Sequence, residues 1–379
     1  MITIRFLLAA FIGVATATTV ASAAGVSAGY GHSLALAADG TVRSWGDDSW
    51  GALGLGRSLA TPSPTPVVGL ANVVQVVAGG EFTAALKADG TVWAWGRNDF
   101  GQLGDGTFVA RSLPVQVLGL TGVVQISAGR YHMMARRADG SVWTWGSNNF
   151  GEQGDDEPGR TTPGRVAGVF NAVEIEAGSY HSMALTDGGT VLAWGANDYG
   201  QLGDGNVTDP YRGRFQPAPV VGLDNVAHVS GGGFHSVAVK VDGSVWAWGA
   251  NDGGQVGDGT TVARRPLPTQ VPGLAAVVEV SAGYIHTAVR KIDGTVWTWG
   301  DASYGQLGDG GEYAVRASPV QVVVNAVGQL AAGFTHSLAL ASGGGLWAWG
   351  ANGAGELGDG TQESRFLPVR VDGVTGLAA

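Results

Sequence analysis

The sequence predicts an all-β fold: a seven-bladed β-propeller of four-stranded antiparallel blades, its ring closed by N- and C-terminal segments that share one blade. Three observations predict it. A Trp-Gly pair recurs seven times, its Gly at Gly46, Gly96, Gly146, Gly195, Gly249, Gly300 and Gly350, with spacings of 50, 50, 49, 54, 51 and 50. Seven copies at a fixed period mark a repeat architecture. Each period holds four short β-type runs, and no 3.6-residue periodicity points to a helical solenoid. The two chain ends also complete one another's missing unit, which lets a ring close without an open sheet edge.

The third unit shows the elements in order. Val123-Val124-Gln125-Ile126-Ser127 is short and β-branched, and reads as a strand that Ala128-Gly129 ends. His132 to Arg136 is a second strand. Ala138-Asp139-Gly140 is a hairpin turn, because Asp-Gly tolerates the positive φ such turns need. Ser141-Val142-Trp143-Thr144-Trp145 is a third strand. A Gly-rich loop follows, and a short Pro-led strand completes the blade.

Alternation predicts how blades stack. In the second strand of the first unit, His32, Leu34 and Leu36 share one face, and Ser33 and Ala35 the other. The position of Ala35 stays small in every copy, as Ala85, Ala135, Ala184, Ala238, Val289 and Ala339. Large residues on one face and small on the other suit sheets packed on both sides, about 10 Å apart. Pairs such as Trp93 and Trp95 then become blade-to-blade packing. At the ends, Leu367-Pro368-Val369-Arg370-Val371, Gly373 and Val374 begin a unit that Gly25-Val26-Ser27-Ala28-Gly29 finishes.

Composition sets outer limits. Of 379 residues, 45% are hydrophobic and 14% charged, with 13 Trp, 65 Gly and no Cys. That is an ordered, turn-rich chain held by its core without disulfides. A net charge of −10 opposes binding to a phosphate backbone, so no nucleic-acid partner is expected. Residues 1–23 carry Arg5, an apolar run from Phe6 to Val14, and Ala21-Ser22-Ala23, the layout of a secretory signal peptide. Residues 24–379 are then the propeller, exported to the periplasm or outside the cell. No later apolar stretch reaches membrane-spanning length.

The unit "AGYGHSLALAADGTVRSWGDDSWGALGLG" (28–56) and its counterpart "SGGGFHSVAVKVDGSVWAWGANDGGQVGDG" (230–259) resemble the regulator of chromosome condensation repeat. The resemblance covers about residues 25–379 and implies a seven-bladed propeller. The founding member of that family is a nuclear guanine-nucleotide exchange factor that docks on chromatin. The acidic balance and export-type N-terminus here depart from it. The insertion Asn206–Gln216 resembles that member's exchange wedge only in being an insertion, and no residue role transfers. The Gly-Trp-Arg-His-Thr motif of the plant ultraviolet photoreceptor of this class is absent. A secreted bacterial propeller that inhibits β-lactamase is similar in repeat and compartment, and implies a protein-binding ring.

Candidate chemistry is sparse. His32, His132, His181, His235, His286 and His336 occupy one repeat position, with Phe82 in the seventh copy. Equivalent sites on adjacent blades lie about 10 Å apart, whereas ligands sit about 2 Å from a metal. Packing or backbone hydrogen bonding is therefore the reading. His228 lies in a strand with no evident partner. The Gly-Asp-Gly loops at Asp105, Asp204, Asp258, Asp309 and Asp359 lack a following Gly-Lys-Ser/Thr or a calcium-loop pattern, and read as turns. Neither a metal nor a cofactor is expected.

Function should sit where the repeats differ. The loop before the second strand and the loop after the third share one rim. The binding residues expected there are Tyr30, Trp50, Arg130, Tyr131, Tyr180, Phe234, Tyr284 and Phe334. Phe100, Phe150, Tyr199 and Tyr304 share a single repeat slot on that rim and read as packing. Aromatics with Arg are the residues that protein-binding hot spots use. The expected function is an exported, monomeric, non-enzymatic module that binds another protein or a cell-wall glycan. The alternatives are an exchange-factor-like regulator of a small GTPase and a hydrolase with a loop-built site.

Overall fold

The computed structural model describes residues 25–208 and 213–377. The signal peptide expected over residues 1–23 lies outside them, as do residues 209–212 of the insertion. Among the described residues there is no helix. Seven four-stranded antiparallel sheets come in turn from residues 25–66, 73–116, 123–165, 172–219, 226–270, 277–322 and 327–371. These are the seven blades of a β-propeller. Their first strands surround a central channel, where Ala28, Ala78, Ala128, Ala177, Gly231, Ala282 and Ala332 meet. The fourth strands form the outer edge.

The first three predicted strands fall within a residue of the observed ones, whereas the fourth begins at an Arg ahead of its Pro, as at Arg111 and Arg365. In the third blade the strands are Val123–Ala128, His132–Arg137, Val142–Gly146 and Arg160–Arg165. At the hairpin, Gly140 has φ 75°. The Asp139 carboxylate accepts both the amide of Ser141 at 2.9 Å and its hydroxyl at 2.6 Å. That closes the turn on itself.

Each Trp-Gly pair is a bulge. The register of the third and fourth strands slips between Thr144 and Gly146, and at the matching place in every blade. Gly146 has φ 101°, and a Cβ there would lie 2.5 Å from the Tyr131 carbonyl oxygen. The bulge re-aims Trp145 sideways, out of its own sheet and onto the preceding blade.

The core lies between blades rather than inside any one. Seven apolar clusters fill the seven seams. Leu34 and Leu36 of the first blade meet Ala85 and Trp95 of the second. Met183 and Leu185 of the fourth meet Ala238 and Trp248 of the fifth. The large-face and small-face pattern is this packing. Trp45, Trp95, Trp145, Trp194, Trp248, Trp299 and Trp349 are all fully buried. Each indole Nε1–H donates to a backbone carbonyl of the previous blade's Gly-rich loop, at 2.8–2.9 Å. That is why the loop carries Gly104: a Cβ there would sit 2.8 Å from the Trp145 Nε1.

The termini close the ring in a particular form. All four hydrogen-bonded strands of the first blade come from residues 25–66. The C-terminal segment supplies what precedes its first strand. Gly376 O accepts the amide of Ala38 at 2.9 Å, the place Asn72 takes for Ala88 one blade on. Leu377 joins Val26, Ala35 and Trp45 in the closing seam.

If the seam Trp residues hold the ring, Trp248→Ala lowers stability by about 3–5 kcal/mol in a urea titration. Trp248→Phe keeps most of the burial but removes the indole donor from the Gln201 carbonyl, which retains the Ser236 hydroxyl, and costs about 1 kcal/mol. Equal losses for Trp248→Ala and for Trp246→Ala, whose ring is only partly buried, would contradict the assignment.

Candidate functional site

The histidine position belongs to the seams. Nε2 of His32, His132, His181, His235, His286 and His336 lies 2.8–3.0 Å from a Ser or Thr hydroxyl one blade on: Thr83, Ser182, Ser236, Thr287, Ser337 and Ser33. Each hydroxyl also lies 2.7–3.0 Å from the carbonyl that receives the seam Trp. A carbonyl can only accept, so the hydroxyl gives it the proton and accepts from Nε2–H. These are the atoms of a Ser-His catalytic couple with the proton polarity reversed. The histidine cannot act as a base toward that hydroxyl.

Where the histidine is missing, so is its partner. Phe82 faces the one seam whose hydroxyl position is Met133, and both are fully buried in the same cluster. The Gly three residues before each ring is set by it: a Cβ at Gly129 would lie 2.3 Å from the His132 ring. Burial lowers the pKa of His132, His235 and His336 to about 3, and of His32, His181 and His286 to about 4.

The Gly-Asp-Gly loops are turns locked by ion pairs. Asp105 accepts the amide and hydroxyl of Thr107, and binds Arg111 at 2.8 Å. Asp204, Asp258, Asp309 and Asp359 pair likewise with Arg214, Arg265, Arg316 and Arg365. Arg214 stands inside the insertion, so the extra residues precede it. The carboxyls of Asp48 (pKa raised to about 6), Glu152 and Glu356 are pushed up by burial. Each is held by an amide of its own loop: Leu53, Phe150 and Ala354 respectively. Among the described residues, no three His, Cys, Asp or Glu side chains are grouped to hold a metal ion.

The channel carries a second polar belt that sequence reasoning missed. Gln75, Gln125 and Gln329 reach from one innermost strand to backbone groups of the next. Glu279 does the same toward the amide of Leu330 and also binds Arg290. His228, read as partnerless, lies 3.3 Å from Glu174 of the preceding blade, a contact that only the blade register reveals. The bond to Glu174 raises its pKa. Glu176 faces the same cavity of about 450 Å³, where burial pushes its carboxyl well up and Glu174 adds to the push.

At the other end of the channel the predicted rim residues converge. Tyr30, Phe334, Tyr284, Phe234, Tyr180 and Tyr131 form a continuous series, with successive centroids 4.0, 3.9, 5.4, 5.4 and 6.5 Å apart. We call this series the crown. Arg130 completes it. Its Nη1 donates to the Tyr180 hydroxyl at 2.6 Å, and its guanidinium lies 5.5, 5.0 and 5.8 Å from the rings of Tyr30, Tyr131 and Tyr180. Burial works against the Arg130 charge, but Tyr180 and Tyr131 more than offset it and hold the pKa above the ordinary value. Burial pushes Tyr284 up to about 12.

Small residues make room for this. A Cβ at Gly80 would lie 2.5 Å from the Arg130 carbonyl oxygen, and one at Gly233 would lie 2.6 Å from the Tyr284 ring. Backbone amides of Tyr30, Arg130, Ser179, Gly233, Tyr284 and Phe334 bond carbonyls one blade on, so the crown stands on a rigid ring.

Trp50 joins through a residue that sequence reasoning did not single out. Arg97 lies 4.7 Å from the Trp50 ring and 5.4 Å from that of Tyr131, and is paired with Glu81 and Asp99. Phe100, Phe150 and Tyr199 pack behind Tyr131, Tyr180 and Phe234, at 4.8, 5.5 and 5.0 Å. Tyr304, in the same slot, is 52% exposed.

A family model described as an RCC1-like domain matches residues 13–332, and two models of the regulator of chromosome condensation repeat match 328–356 and 343–378. The chain is 39% identical over 93 residues to protein RCC2 homolog of Danio rerio, covering 24% of this chain and 19% of that protein. It is 37% identical over 86 residues to the ultraviolet-B receptor UVR8 of Arabidopsis thaliana, covering 22% and 20%. It is 38% identical over 110 residues to the probable E3 ubiquitin-protein ligase HERC6 of Homo sapiens, covering 28% and 11%. The chain thus aligns with well under a third of the length of these curated relatives. Among solved structures it is similar to Prp20p of Saccharomyces cerevisiae, with TM-score 0.77, 25% identity, and 87% and 85% of the two chains covered. Human WBSCR16 is similar at TM-score 0.77 and 27% identity, over 87% and 94%. Yeast RCC1 (Prp20) bound to Kap60 shares the fold at TM-score 0.80 and 24% identity, over 94% and 86%.

The neutral histidines fix a pH dependence. Their folded pKa values of about 3 to 4 lie below the ordinary 6.5, so unfolding takes up protons between those limits. Stability is complete above pH 6.5 and falls as pH drops toward 4. The raised carboxyls of Asp48, Glu152, Glu176, Glu279 and Glu356 and the raised imidazole of His228 act in the opposite direction, so the decline is shallower than the six histidines alone would give. Denaturant midpoints measured from pH 7.5 to 4.5 should decline steadily. The paired change His181→Phe with Ser236→Met, which copies Phe82 and Met133, should make that decline shallower. A flat profile would contradict the assigned proton positions.

Proposed function

The chain belongs to the RCC1-like domain family, and from that premise we propose that it is a protein-binding propeller whose contact surface is the crown at the channel mouth. One observation carries the reading: rim residues from separate blades join into a single aromatic array around a guanidinium. Such rings offer large, stiff contact area at low entropic cost. The seams need none of these side chains, so the face is free to serve recognition.

Relatives support a protein as the ligand. Yeast RCC1 (Prp20) is seen bound to Kap60, and Prp20p is described together with its binding to Gsp1p and histones. Those partners belong to those proteins. For this chain we infer an exported module that acts without catalysis, as a monomer. The composition of residues 1–23 and the net charge of −10 support this compartment and disfavour nucleic acid. The likeness to Prp20p favours a second reading, exchange on a small GTPase, which requires a cytoplasmic protein.

The test is capture with residues 24–379 beside a variant carrying Tyr131→Ala, Tyr180→Ala, Phe234→Ala and Tyr284→Ala. Circular dichroism first shows both folded. A protein retained by the unaltered chain and lost by the variant supports the reading, and a glycan lost in the same way would change the partner class. Identical capture by both contradicts it. An N-terminus at Ala24 in the mature protein supports export, whereas an intact Met1 favours the GTPase reading.

A further inference from the structure

We propose that Arg130 is a carboxylate receptor: the crown takes one Asp or Glu side chain of a partner protein, presented between apolar residues. The inference rests on the reading of the crown as a contact face.

Two arginines on the rim differ in a telling way. Arg97 is neutralised by Glu81 and Asp99. Among the described residues Arg130 has no acid within ion-pair distance, and its one side-chain hydrogen bond goes to the neutral hydroxyl of Tyr180. One nitrogen is thereby anchored while Nε and Nη2 keep their donors. A half-buried guanidinium, fixed by rings and left with a free edge, is pre-organised for a two-pronged bond to a planar carboxylate. That a chain of net charge −10 leaves this cation unpaired at its channel mouth points to an acid arriving from outside.

The surroundings select among anions. Beneath the crown is a hollow of about 90 Å³ lined by backbone at Gly79, Gly129 and their counterparts, sized for one small group. Glu81 and Asp99 stand close by on the same rim, and a doubly charged phosphate would feel about twice the repulsion of a carboxylate. Tyr30, Tyr284 and Phe334 flank the position with apolar surface, which fits Leu-like or aromatic neighbours on the incoming segment.

The experiment is an NMR titration with three blocked peptides: one Glu between two Leu, its Gln twin, and its phosphoserine twin. The unaltered chain should bind the Glu peptide at least about tenfold tighter than the Gln twin, a difference of about 1.4 kcal/mol. Arg130→Gln should abolish the preference, Arg130→Lys should keep a reduced one, and Arg370→Gln, an exposed site away from the crown, should leave it whole. Equal binding of Glu and Gln peptides, no binding of either, tighter binding of the phosphoserine peptide, or a preference that survives Arg130→Gln would each overturn the inference. The pair Tyr284→Ala with Phe334→Ala separates the two ideas. If both twins bind alike and both are lost in that variant, the contact face stands and the carboxylate receptor falls. If the Glu preference is untouched in that variant, Arg130 stands and the aromatic face falls.

Discussion

The whole ring depends on one carbonyl per blade. In six of the seven seams a single backbone oxygen of the Gly-rich loop receives both the indole N–H and the hydroxyl of the next blade, and that hydroxyl is tied back to a histidine of the first. The arrangement joins three elements of two blades in one dry junction. An unmade bond there would leave a buried polar group exposed to the low-dielectric core, which is costly. Blades otherwise touch through apolar faces, which attract without direction. The carbonyl junction sets their angle and height, and so decides that seven copies close into a ring.

The seam between the second and third blades shows what that junction requires. Phe82 and Met133 replace histidine and hydroxyl together, while Trp145 still donates to Gln102. Losing both polar partners at once leaves nothing unsatisfied, whereas losing either would strand the other. The channel belt runs through this seam unchanged: Gln75 makes two bonds to Ile126, as Gln125 does to Ile175 one blade on.

Much of this was legible in the residues. Trp-Gly spacing, the Asp-Gly hairpins and the small face at Ala35 and its counterparts predict the blades, because each reflects a local rule of turn or packing. The turn reading of Gly-Asp-Gly holds, and the rim residues from Tyr30 to Phe334 do come together, because antiparallel strands return their loops to one end. What stayed hidden depends on register between blades. His228 beside Glu174, the Gln belt, and Arg97 under Trp50 join residues whose pairing follows only once the sheets are stacked. The same holds for the histidines: their shared position was plain, but not the hydroxyl one blade away. Closure by Gly376 and Leu377, with no strand lent across, likewise turns on where one unit's loop docks.

Scaffold and surface are thus separable: the seams fix the crown's platform, and the crown is built from side chains that the seven blades do not all share. The most direct test of that division is photo-cross-linking of the protein in the cells that make it. Benzoylphenylalanine would replace Tyr284 in the crown and, separately, Ile292, which is 75% exposed on a hairpin at the opposite end of its blade. The account predicts one discrete protein adduct from position 284 and none from 292. Adducts from 292 alone, or the same adducts from both, would contradict it.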